Sequence, residues 1–81
     1  MAESIAVLGS GGWGTTLAVM LDEIGHDCRL WVRNPDESTE IERRRENARF
    51  LPGIPLSNSL RITADPAAAL AGAGLVLIAV P

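Results

Sequence analysis

Gly9-Ser10-Gly11-Gly12-Trp13-Gly14 is the stretch that decides the fold, read with what stands on either side of it. Ahead of it lies Ser4-Ile5-Ala6-Val7-Leu8, short, mostly apolar and rich in β-favouring residues, the pattern of a strand covered on both faces of a parallel sheet. After it, Thr15 to Ile24 spaces Leu17, Val19, Met20, Leu21 and Ile24 as a helix packed on that sheet would, and Gly25 suits the C-terminal cap. A G-x-G-x-x-G run says little alone, but between a strand and a helix it predicts the first turn of a dinucleotide-binding βαβ unit. Gly9 then permits the tight turn, Gly11 lets the backbone approach a pyrophosphate, and Gly14 allows close helix–strand packing, with the helix N-terminus facing the phosphate charge. The alternative is a glycine-rich turn without a ligand. Gly12 has no part in the motif, and Trp13, too bulky for the turn to require it, is open to a packing role.

The same alternation continues downstream. Cys28 to Val32 reads as a second strand, and Asn34-Pro35-Asp36-Glu37 as a helix start: Asn as N-cap, Pro at the first position, acids in the first turn and Glu37 where a capping box places it. That helix is predicted to run to about Asn47. Asn47 to Ser59 contains Pro52-Gly53 and Pro55 and reads as a loop with its tip at the surface. Leu60 to Thr63 makes a short strand. Asp65-Pro66 repeats the cap-then-proline start before an alanine-rich helix closed by Gly72 or Gly74, and Leu75 to Val80 is a last buried strand. The order β-α-β-α-β-α-β, without repeats, predicts an α/β fold: a Rossmann-like parallel sheet, the N-terminal portion of a dinucleotide-binding domain. A doubly wound domain has two βαβαβ halves, so residues 1–81 are expected to be a partial domain. Its open edge and uncovered apolar face predict marginal folding or self-association for the bare segment.

Composition narrows the function. Eighty-one residues, 47% hydrophobic and 21% charged, suit one small globular unit. Seven basic against ten acidic residues give a net charge of -3, which argues against nucleic-acid binding. The one basic block, Arg43-Arg44-Arg45, is read as a solvated helix face, because neighbours on a helix diverge and Glu40 stands at the i,i+4 spacing to Arg44. The longest apolar run, Leu75 to Val80, is far short of the ~20 residues of a membrane helix, so no membrane insertion is expected. Met1-Ala2-Glu3-Ser4 has no basic leader region and Cys28 is the single cysteine, which predicts a cytoplasmic chain with a buried, unreactive thiol. His26 has no second histidine with which to build a metal site and is read as structural. All seven basic residues are Arg, so any lysine-dependent step must draw its lysine from outside this segment.

The residue after the second strand bears on the cofactor. An NAD site usually has an acid there for the ribose 2′-hydroxyl, whereas this chain has Arg33, which suits a 2′-phosphate. NADP, or NADP and NAD both, is therefore favoured over strict NAD. Asp36 lies one turn later and is a poorer candidate. A solvated strand-end charge is the alternative for Arg33.

Taken together, Gly9 to Ala18, Leu30-Trp31-Val32-Arg33-Asn34-Pro35 and Asn47-Ala48-Arg49-Phe50-Leu51-Pro52-Gly53-Ile54 resemble the bacterial-type NAD(P)-dependent glycerol-3-phosphate dehydrogenases over the whole chain. The Trp-Gly-Thr continuation and the Asn-x-x-aromatic-Leu-Pro-Gly segment are the specific parts of that likeness. The resemblance implies reversible hydride transfer between sn-glycerol 3-phosphate and dihydroxyacetone phosphate for phospholipid synthesis, with NADP or NAD as cofactor. It implies that Gly9, Ser10, Gly11, Gly12, Trp13 and Gly14 surround the cofactor, that Arg33 and Asn34 face the adenosine 2′ position, and that Phe50 takes the place of a cofactor-contacting aromatic, usually Tyr. Gly12 stands where Ser is common, and Phe50 lacks a phenol oxygen. Ala79-Val80-Pro81 resembles the start of the loop beside the nicotinamide. The resemblance places the catalytic lysine and a helical substrate domain downstream, so no catalytic residue is expected here, the isolated segment should be inactive, and a homodimer is one assembly open to the whole protein. Two rivals remain: another Rossmann reductase, such as a ketopantoate reductase or a phosphogluconate-type dehydrogenase, and a non-catalytic NADP-binding sensor module.

Overall fold

Apolar strand segments alternate with capped helices along the chain. The computed structural model, which describes residues 2–79, forms from them β1 (Ser4–Leu8), α1 (Gly12–Glu23), β2 (Asp27–Trp31), α2 (Pro35–Arg44), β3 (Arg61–Thr63), α3 (Pro66–Leu70) and β4 (Leu75–Ile78). The strands make one parallel sheet in the order β3-β2-β1-β4. The chain steps outward from β1 to β3 and then crosses back to lay β4 on the other side of β1. That reversal is the topological switch point of an open α/β sheet. The architecture is the Rossmann-like parallel sheet the sequence predicts.

Local chemistry sets the helix ends. After α1, the Gly25 N–H donates to the Asp22 carbonyl and the His26 N–H to the Leu21 carbonyl, with Gly25 at φ 100. This is the paired bonding of a Schellman cap, and it needs a residue that tolerates the left-handed region. At α2, the Asn34 side chain accepts from the Asp36 and Glu37 N–H groups at 2.8 and 3.1 Å, and Pro35 occupies the first turn as predicted. Glu37 does not complete a capping box. Its carboxylate reaches instead to Arg49 at 2.5 Å, an ion pair that ties α2 to the following loop.

α2 also stops at Arg44, three residues before the predicted end. Arg45 takes φ 54, and its guanidinium donates to the carbonyls of Ser57 and Leu60 at 3.2 and 2.7 Å. Arg45 is thus half-buried and ties down the returning loop, in contrast to the solvated face expected of all three arginines. Arg43 and Arg44 do lie on that face, both paired with Glu40 at 2.7 and 2.6 Å. The Arg43 hydrogen bond, then the charges of Arg43 and Arg44, hold the Glu40 carboxyl below its usual value.

Strand alternation divides the interior. Ile5 and Val7 of β1 and Cys28 and Leu30 of β2 are in register and join Ala18, Val32, Ile41, Leu56, Leu60 and Ile62 in one apolar cluster. The other face carries Ala6 paired with Arg29, and there the Arg29 guanidinium donates to the carbonyls of Ala69, at 3.3 Å, and Ala71 at the end of α3. A second nitrogen of Arg29 pairs with Asp27 at 3.2 Å. Cations at a helix C-terminus answer both the orphan carbonyls and the dipole. His26 has a structural part as well, its Nδ1 accepting from the Glu3 N–H at 2.9 Å.

Two burial expectations fail. Met20 and Ile24 are 56% and 71% exposed, because α1 begins at Gly12 and turns its small residues Gly14, Thr15 and Ala18 to the sheet, leaving Met20 and Ile24 off that stripe. Leu75, Val76 and Ile78 of β4 are exposed too, at 45%, 41% and 72%, since among the described residues no strand pairs with its outer edge. The predicted continuation to Val80, and the Val80-Pro81 part of the loop likeness, lie outside the described residues. Among the described residues no helix is long and apolar enough to cross a membrane.

Candidate functional site

The carboxyl ends of β1, β2 and β4 open into a cleft of about 590 Å³ lined by Gly9, Ser10, Gly11, Trp31, Arg33, Phe50 and Ala79. It lies where the strand order reverses, the place at which open α/β sheets hold their ligands. Gly9 and Gly11 come from the turn after β1, Arg33 from the end of β2, Ala79 from the end of β4, and Phe50 from the loop after α2. Residues scattered over seventy positions therefore share one wall-to-wall site.

The glycines divide into two kinds. Gly9 adopts φ 125, which a side chain would resist, and a Cβ on Gly14 would lie 2.0 Å from the Gly9 carbonyl oxygen. Both are needed for the fold of the turn. Gly11 is different: its φ of -64 is ordinary, and a Cβ there would meet nothing within 4 Å. The folded chain does not require glycine at 11, and the room a Cβ would take opens on the cleft. Gly12 sits under the loop after α2, where a Cβ would lie 3.0 Å from the Phe50 carbonyl oxygen.

α1 has no side-chain cap on its N-terminus and no acidic residue in its first turn. Its leading N–H groups are left for water or an anion, and the helix dipole favours negative charge there. Thr15 and Asn47, 0% and 2% exposed, brace the turn from behind. Both donate to the Ser10 carbonyl, Thr15 Oγ1 at 3.1 Å and Asn47 Nδ2 at 2.7 Å, and Asn47 Nδ2 also donates to Thr15 Oγ1 at 2.8 Å.

Arg33 is exposed on the cleft wall with its guanidinium in no ion pair among the described residues. Phe50 is 43% exposed, and the Arg49 guanidinium stacks over its ring at 4.8 Å. Arg49 in turn holds Glu37, so Phe50, Arg49 and the start of α2 form a linked wall. The Trp31 indole N–H is anchored to the Ala64 carbonyl at 3.0 Å. Of the residues singled out from the sequence, Gly9, Ser10, Gly11, Arg33 and Phe50 meet at the cleft. Gly12 and Gly14 lie behind it, Trp13 is 69% exposed outside it, and the Asn34 side-chain oxygen is committed to capping α2. In the sequence Asn47 stands out only as the first residue of the Asn-x-x-aromatic-Leu-Pro-Gly segment. Its signal was a polar residue of turn-forming type three positions before an aromatic.

In a smaller hollow of about 180 Å³ between α2 and residues 46–49, Arg44 pairs with Glu40 and Arg49 with Glu37, while the Glu46 carboxylate accepts from the Gly53 N–H. Among the described residues no three His, Cys, Asp or Glu side chains gather as a metal site. Cys28 is fully buried, and burial first, then the charges of Asp22 and Asp27, push its thiol up to about 11. It is a core residue.

A parallel sheet with a switch-point cleft, a glycine turn and an uncapped helix N-terminus define the N-terminal portion of a Rossmann-type dinucleotide-binding domain. Residues 4–81 match the family model described as NAD-dependent glycerol-3-phosphate dehydrogenase N-terminus, and the chain belongs to that family. It is 49% identical over 81 residues to a glycerol-3-phosphate dehydrogenase (NAD(P)+) of Moorella thermoacetica and 51% identical over 81 residues to one of Halorhodospira halophila. Each alignment covers 100% of this chain and 24% of the relative, so the chain spans about a quarter of the length of the curated relatives it matches. Among solved structures, the glycerol-3-phosphate dehydrogenase of Coxiella burnetii superposes with a TM-score of 0.92 at 39% identity, over 99% of this chain and 25% of that one. The DsGPDH of Dunaliella salina, at 23% identity and a TM-score of 0.85, shares the fold over 99% of this chain and 17% of its own.

Proposed function

We propose that this segment holds the adenosine diphosphate half of NADP or NAD in an NAD(P)-dependent glycerol-3-phosphate dehydrogenase of the cytoplasm. The observation that carries the reading is Gly11: a glycine the fold does not need, opening on a cleft beneath an uncapped helix N-terminus. The backbone N–H of Gly11 at the cleft wall, backed by the uncapped N-terminus of α1, would take the diphosphate, with Gly9 and Gly14 shaping the turn and Ser10 lining it. Arg33 would take a 2′-phosphate, Phe50 would face the adenosine, and the side-chain NH2 of Asn34 remains available beside them. When bound, NADP or NAD would supply the hydride chemistry that interconverts sn-glycerol 3-phosphate and dihydroxyacetone phosphate, the accompanying proton being handled outside this segment. This segment contributes cofactor binding, and the reacting groups come from the rest of the protein.

The test is a titration of the complete protein with NADPH and with NADH, repeated on Arg33→Ala. Loss of NADPH affinity by about tenfold or more, with NADH affinity held within twofold, is expected of a charge-assisted contact to the 2′-phosphate. Equal affinities before and after the substitution would remove Arg33 from the site.

A further inference from the structure

Ser10 presents its carbonyl inward, to the Asn47 side-chain amide at 2.7 Å and the Thr15 hydroxyl at 3.1 Å, both buried behind the glycine turn. A trans peptide is planar, so its carbonyl and the following N–H point in opposite directions. Holding the Ser10 carbonyl inward therefore turns the Gly11 N–H outward, on the side where Gly11 lines the cleft. That N–H makes no hydrogen bond among the described residues. The contacts that hold this peptide in place are therefore the two side-chain donors on the Ser10 carbonyl.

The same asparagine reaches the opposite wall. Asn47 Oδ1 accepts from the Phe50 N–H at 3.3 Å, and the Asn47 carbonyl accepts from the Leu51 N–H at 2.8 Å. One buried amide thus spans the glycine turn and the loop that bears Phe50, its donors spent on the first and its acceptor on the second.

We propose that Asn47 is a positioning residue for dinucleotide binding: it fixes the orientation of the Ser10–Gly11 peptide, so that the Gly11 N–H meets the diphosphate, and it sets Phe50 across the cleft. Thr15 is its partner, accepting from Asn47 and donating to the same carbonyl. The proposal rests on the cofactor reading above and deepens it. A preorganised donor is worth more than one that must turn to meet its ligand.

Two ligands separate positioning from general scaffolding. ADP-ribose carries the diphosphate without nicotinamide, and adenosine carries no phosphate; both are titrated into the complete protein and into Asn47→Asp, Asn47→Ser and Thr15→Val, by tryptophan fluorescence and by competition. Asn47→Asp keeps the acceptor for the Phe50 N–H and removes both donors. ADP-ribose affinity should fall about tenfold, the size expected for losing one well-made hydrogen bond, while adenosine affinity stays within twofold. Asn47→Ser gives up the Phe50 anchor as well and should weaken both ligands, ADP-ribose the more, while Thr15→Val should show a smaller loss confined to ADP-ribose. Equal losses for both ligands in Asn47→Asp, or no loss for either there, would overturn the proposal. Should neither Asn47 variant fold, Thr15→Val decides in their place, and an unchanged ADP-ribose affinity there overturns it. Failure of the unsubstituted protein to bind ADP-ribose would instead overturn the cofactor reading itself, before any variant is compared.

Discussion

Gly14 lies against Gly9 with no room between them: a Cβ on Gly14 would stand 2.0 Å from the Gly9 carbonyl oxygen and 2.9 Å from its carbon. The contact is between backbones, so no side chain can swing aside to relieve it. Gly14→Ala should cost at least about 3 kcal/mol, beyond the usual range for an overpacked side chain. Denaturant unfolding of the variant measures this, and a loss below about 1 kcal/mol would mean that α1 can slide away from the turn.

Gly11→Ala should have the opposite profile. Its φ is ordinary and its surroundings open, so stability should change by less than about 1 kcal/mol and can rise, because alanine restricts the unfolded chain. Dinucleotide affinity should nevertheless fall at least about tenfold, the methyl group occupying space at the cleft wall. A variant that binds as well as the parent would break the link between Gly11 and the ligand.

Arg29 is buried among the end carbonyls of α3 and Asp27, and its Nε has no hydrogen-bond partner. Arg29→Met keeps most of the volume and removes every donor. Leaving the Ala69 and Ala71 carbonyls unmet outweighs relief of the single unpartnered nitrogen, so a loss of about 2 to 3 kcal/mol is expected. Asp27 retains Arg61 at 3.6 Å, which limits the damage on that side. Calorimetric or denaturant stabilities within about 0.5 kcal/mol of the parent would show that burying the arginine is no advantage over an apolar side chain.

Cys28 gives a pH signature. Its thiol is raised from 9.0 to about 11 in the folded chain, chiefly by burial, so the folded state holds the proton more tightly than the unfolded one. The associated stability is complete below about pH 9 and is lost as the pH climbs through about 11, amounting to about 3 kcal/mol in all. Cys28→Ala should flatten this decline, and below pH 9 the native thiol should react with a thiol reagent only as fast as the chain opens. An identical alkaline loss in both proteins would assign it to another group.

The elements were legible because their signals are local. Asn34 and Asp65, each before a proline, cap helices as read, and Gly25 sits at a Schellman end. The glycine turn announced a switch-point cleft because glycine is chosen for what backbone can do there. Arg33, marked by its place after β2, and Phe50, marked by the likeness, both line that cleft. Asn47 and Arg29 escaped notice for a common reason: a polar residue looks solvent-facing until the partners that satisfy it in the interior are known.

The sequence by itself determined the alternation of strand and helix, the caps and the turn, since periodicity, cap chemistry and glycine placement act over a few residues. Only the tertiary structure decided that α2 ends at Arg44, that Arg45 and Arg49 are spent on holding loops, that Arg29 closes α3, and that Asn47 joins Ser10 to Phe50. Those outcomes depend on groups far apart in the chain, up to 42 positions for Arg29 and Ala71, which a local reading does not bring together. Buried donors and acceptors must find partners wherever the folded chain supplies them.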